Sequence, residues 1–90
     1  MNDSQKNEIK KYISNNYILM GEVYLKLSSY IQETSDPVKI NNIQEISAYV
    51  KVHEILLNQL EEKTSFENVN NVLLSLKNIE AVFKSLNIVL

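Results

Sequence analysis

Arginine, cysteine and tryptophan are absent from this 90-residue chain, and glycine and proline occur once each. Without cysteine there can be no disulfide, no thiolate metal site and no cysteine nucleophile, while the redox compartment stays open. Without arginine, all nine basic residues are lysines, set against eleven acidic ones for a formal net charge of −2. Arginine is the favoured reader of guanine and phosphate, and a mildly acidic chain has no cationic surplus with which to release counterions from a duplex. Nucleic-acid binding is therefore expected to be absent or weak, with lysine contacts to phosphate as a remote alternative.

Long apolar runs are missing too. The longest is "YILM" at residues 17–20, far short of the roughly 20 residues that span a bilayer. The first residues, "MNDSQKNE", lack the basic and apolar regions of a signal peptide. A soluble cytoplasmic protein with no membrane partner is the expectation.

Elements of catalysis are equally sparse. His53 is the only histidine. Its neighbour Glu54 points about 100° away around a helix, so no metal-ligand set forms there. "HEILL" at residues 53–57 also lacks the second histidine of a zinc-protease helix. A hydrogen-bonded or half-exposed histidine at the core edge is the simpler reading. Glu61 and Glu62 are adjacent and diverge, and with Glu54 and Glu80 they read as solvated surface. The lone Gly21 cannot form a phosphate-cradling loop. The residues therefore predict a non-enzyme with no metal, cofactor or evident small-molecule substrate.

What the chain does have is helical periodicity. With so few breakers, long helices follow, and an apolar fraction of 44% is that of an ordinary globular protein. Three helices are predicted, over about 4–33, 37–62 and 65–88, in a single domain spanning 1–90. Asp3 or Ser4 is the candidate cap of the first, with a weak middle at Asn15, Asn16 and Gly21. Asp36 followed by Pro37 opens the second. Thr64 with Glu67 fits a capping box before the third.

The inward stripes read Ile13, Tyr17, Met20, Tyr24, Leu27 and Ile31 on the first helix. On the second they read Ile43, Ile46, Val50, Leu57 and Leu60, with His53 in the one polar slot. On the third they are Val69, Val72, Leu76, Ile79, Phe83, Leu86 and Leu90. Spacings of three and four place each set on one face, as in a coiled coil. Connections of a few residues favour antiparallel neighbours. The predicted fold is all-α: an elongated antiparallel three-helix bundle.

Apolar residues left off these stripes carry the functional reading. Leu74, Ala81 and Ile88 repeat at sevens on the far side of the third helix, and Ile18 and Leu25 do so on the first. Val52 and Ile55 add a smaller patch on the second helix. Five tyrosines pair apolar rings with polar tips: Tyr17 and Tyr24 on a stripe, and Tyr12, Tyr30 and Tyr49 beside the stripes, where interface and core-edge roles compete. The candidate partner-binding residues are thus Ile18, Leu25, Leu74, Ile88, Tyr12, Tyr30 and Tyr49, since contiguous exposed apolar residues mark interfaces. The alternative for these residues is a wide core stripe or a different helix rotation.

The expected function is a small protein–protein interaction module, such as an adaptor, chaperone-like partner or inhibitor, offering an apolar helix face to a larger protein. The alternative is a structural subunit that uses the same faces to form a homo-oligomer.

Overall fold

A computed structural model describes residues 2–85 of the chain. It contains three helices, α1 (Asp3–Glu33), α2 (Pro37–Glu62) and α3 (Phe66–Ser85), with no strand among the described residues. At 1.5 Å per residue the 31 residues of α1 span about 46 Å, which accounts for the elongated shape of 50 × 19 × 18 Å. Among the described residues no helix is long and apolar enough to cross a membrane. The predicted stretch up to 88, with Leu86, Ile88 and Leu90, lies outside them.

Each helix begins where a side chain can satisfy its free amides. Asn2, rather than Asp3 or Ser4, caps α1. Its Oδ1 accepts from the Gln5 N–H at 2.8 Å, and Gln5 Oε1 accepts from the Asn2 N–H at 3.1 Å. This reciprocal pair satisfies two amides at once. Asp36 caps α2 as the sequence predicts, accepting from the Val38 N–H at 3.0 Å, with Pro37 in the first turn.

The cap of α3 is Ser65, one residue later than the predicted Thr64. Ser65 Oγ accepts from the Asn68 N–H at 3.2 Å, whereas the Thr64 hydroxyl turns back to donate to the Leu60 carbonyl. Asn68 Nδ2 then donates to the Lys63 carbonyl at 2.8 Å, fastening the α2–α3 turn. Both connections are only three residues long, so the helices alternate in direction and α1 runs parallel to α3.

The inward positions differ from the predicted stripes mainly on α1. Its buried residues are Ile13, Asn16, Met20, Val23 and Leu27. Tyr17 and Tyr24 sit half-buried on the flank toward α2, and Ile31 is exposed. The physical reason is the phenol. The Tyr17 hydroxyl donates to Asn58 Oδ1 and the Tyr24 phenol lies within the influence of Glu54, both partners at the bundle edge. On α2 the buried set is Ile43, Ile46, Val50, His53, Leu57 and Leu60, with the histidine fully enclosed. On α3 it is Val72, Ser75, Ile79 and Phe83, while Val69 and Leu76 are half-buried.

A polar layer divides this interior. Ile13, Leu57, Leu60 and Val72 form one apolar cluster, near the α2–α3 turn. Met20, Val23, Leu27, Ile43, Ile46, Val50, Ile79 and Phe83 form a larger one. Between them lie Asn16, His53 and Ser75, one from each helix. His53 Nδ1 is 2.9 Å from Ser75 Oγ, and Nε2 is 2.9 Å from Asn16 Oδ1. Helix α2 is the central element. Its backbone approaches both neighbours closely, whereas among the described residues no α1 Cα comes within 8 Å of an α3 Cα. Helices α1 and α3 meet through side chains alone.

Candidate interaction surface

The wide α1–α3 spacing leaves a groove at the end of the bundle where α3 begins. Ile9 and Tyr12 of α1 form one wall and Phe66, Val69 and Leu73 of α3 the other, with Gln5 and Glu8 at the rim, around a volume of about 380 Å³. Phe66 is 66% exposed and Leu73 41%. Ile9, Tyr12 and Val69 are half-buried because they also pack on the smaller core cluster. The apolar floor of the groove is therefore the outer layer of that cluster. Helical spacing explains the α3 wall: residues 66, 69 and 73 share a face turned about 100° from the line through Val72 and Ile79.

A second groove of about 480 Å³ runs between α2 and α3. Tyr49, Val52 and Leu56 line one side and Asn71, Leu74, Ser75 and Asn78 the other. Leu74 is 61% exposed. Here the fold unites two predicted patches, since Leu74 of α3 and Val52 of α2 share one concavity, with Tyr49 beside them.

The remaining candidates fall elsewhere. Ile18 and Leu25 are 64% and 71% exposed, on the side of α1 opposite its buried residues, and enter neither groove. Tyr30 is half-buried against the larger cluster. Tyr12 belongs to the first groove, but its hydroxyl is enclosed and has no hydrogen-bond partner among the described residues. Ile88 is among the residues not described.

Sequence reading missed Phe66 and Leu73 as surface candidates and Asn16 and Ser75 as interior ones. The signal for the first pair was the spacing of residues 66, 69 and 73, offset by one from the core repeat. For the second pair, the signal was their three- and four-residue spacing from apolar neighbours.

The electrostatics of these surfaces are mild. Apart from half-buried Glu54, every aspartate, glutamate and lysine among the described residues is exposed. The Tyr17 phenol is pushed above its usual range by burial and then by the charges of Glu61 and Glu54. Tyr24 is raised by burial and then by Glu54. Both tyrosines therefore stay neutral donors and serve as braces between α1 and α2. Comparison with protein-family models, with curated proteins and with solved structures finds no match to this chain.

Proposed function

We propose that this protein is a non-catalytic interaction module that receives an apolar segment of a protein partner in a groove beside α3. The observation that carries this reading is the α1–α3 groove, where five apolar side chains from two helices, two of them aromatic, face a common concavity. Aromatic residues at the centre of a concave apolar surface are the usual energetic anchors of an interface. An amphipathic helix laid between α1 and α3 would find apolar side chains on both walls, with polar residues confined to the rim. The α2–α3 groove is more polar, with Asn71, Ser75 and Asn78 along one side, and serves this role less well.

Site-specific photocrosslinking from position 73, in the organism that makes the protein, tests the reading. A discrete protein adduct at position 73 that is lost in Phe66→Glu supports it. Adducts confined to a second copy of the chain would favour the homo-oligomer. No adduct at 73, together with a discrete adduct at 74, would move the site to the α2–α3 groove.

A further inference from the structure

The polar layer at mid-bundle has a definite proton arrangement. Asn16 Nδ2 donates to the Tyr12 backbone carbonyl at 2.9 Å, which fixes the amide so that its Oδ1 faces His53. An amide oxygen only accepts, so the imidazole proton must sit on Nε2, 2.9 Å away. Nδ1 is left with a lone pair, filled by the Ser75 hydroxyl donating across 2.9 Å. Hydrogen bonds thus run in one direction from α3 through α2 to α1 and satisfy every ring nitrogen, with no charge present. Such a network is favourable when complete and costly when disturbed.

Among the described residues no carboxylate is hydrogen-bonded to the imidazole, and the layer nears solvent at Ser75, which borders the α2–α3 groove. From α1, the titratable groups facing the layer are the phenols of Tyr12 and Tyr17. From α3 there are none, since Val72, Leu76 and Ile79 flank Ser75. On α2 the adjacent carboxylate is Glu54, whose charge raises the Tyr24 and Tyr17 phenols and which makes no hydrogen bond to the imidazole. A proton added to Nδ1 would meet the hydrogen already donated by Ser75, force that hydroxyl to turn, and leave a charge between two apolar clusters.

We propose that the Asn16–His53–Ser75 layer is an acid-sensitive latch, holding the three helices together while the imidazole is neutral and releasing them when it is protonated. Burial holds His53 below its ordinary value of 6.5, which is the direction the geometry requires. The sign of the linkage follows. Because the folded value is depressed, the unfolded chain binds the proton first. The stabilisation is complete above pH 6.5, falls as the pH drops below it, and levels off once the folded state is protonated as well. One proton taken up on opening lowers the folding equilibrium constant by up to about tenfold per pH unit in that window. His53 is the chain's only histidine, the one side chain whose ordinary value lies in this window, and the His53→Gln comparison isolates its contribution.

The test is urea unfolding of the full chain from about pH 5 to about pH 7.5, alongside ring-nitrogen NMR of the folded protein. The wild type should lose up to about tenfold in folding equilibrium constant per pH unit below 6.5, His53→Gln should lose that dependence, and the folded ring should stay neutral with its proton on Nε2 at pH 6.5. A flat wild-type profile, a folded ring titrating at or above 6.5, or a proton on Nδ1 would overturn the proposal. Should His53→Gln fail to fold, the wild-type profile and ring titration decide the matter together.

Discussion

Phe66→Glu separates surface from core in the proposed binding groove. Phe66 is two-thirds exposed, so replacing it forfeits only about a third of the burial energy of a phenylalanine, roughly 1 kcal/mol. It is also the first residue of α3, where a negative charge is favourable by about 0.3–1 kcal/mol through the helix dipole. The two effects nearly cancel, and the variant should melt within about 4 °C of the wild type. Phe83→Ala provides the contrast. Phe83 is buried in the larger cluster, and truncating a buried phenylalanine costs about 3–5 kcal/mol, a fall of 12 °C or more on the scale of about 4–8 °C per kcal/mol. Thermal melting and partner capture are read together. Phe66→Glu should keep the fold and abolish capture, because it places a charge in an apolar interface. If Phe66→Glu unfolds the protein as badly as Phe83→Ala, the groove is core and the argument fails. If it leaves both melting and capture intact while Leu74→Glu abolishes capture, the partner uses the α2–α3 groove instead.

Gly21→Ala should stabilise the protein by about 1 kcal/mol, since a Cβ there meets nothing within 4 Å; a melting temperature that fails to rise would show strain at that position. Tyr12→Phe removes an enclosed hydroxyl without a hydrogen-bond partner, so urea unfolding should find stability unchanged or higher by about 1 kcal/mol, while the Asn16 bond to the residue-12 carbonyl survives. Asn68→Ala deletes the side-chain donor to Lys63 and should cost about 1 kcal/mol, with hydrogen exchange accelerating first around residues 63–68.

The helices and their antiparallel order were legible in the sequence because scarce breakers and spacings of three and four are local signals. The Asp36–Pro37 start was legible for the same reason. The rotation of α1 was not. Hydropathy favours Tyr17 over Asn16, yet the axis took Asn16; at the next turn it favours Val23 over Tyr24, and there the axis followed hydropathy rather than the unbroken three-and-four spacing that pointed to Tyr24. A tyrosine needs a partner for its hydroxyl, which the α1–α2 edge supplies, whereas Asn16 finds both a backbone carbonyl and His53 inside. His53 was correctly placed in the repeat as its one polar slot. What a one-dimensional pattern could not show was that Asn16 and Ser75 converge on it from positions 37 and 22 residues away. The grooves were illegible for a related reason. Leu73 and Phe66 look like stray surface residues until α1 brings Ile9 and Tyr12 opposite them.

The groove and the polar layer also bear on each other. The layer cuts the interior into unequal parts, and among the described residues the buried members of the smaller part are Ile13, Leu57, Leu60 and Val72. Three residues of the groove, Ile9, Tyr12 and Val69, are the half-buried skin of that smaller part. A partner seated between α1 and α3 would complete their burial and so add apolar contacts to the weaker end of the bundle. By mass action such a partner must stabilise the closed state by an amount set by its concentration relative to its Kd. Protonation of His53 acts on the same closed state with the opposite sign. Occupancy of the groove and charging of the layer are then thermodynamically coupled, although no residue lining the α1–α3 groove is hydrogen-bonded to the imidazole. A bound partner should shift the acid opening to lower pH, and acid should release the partner.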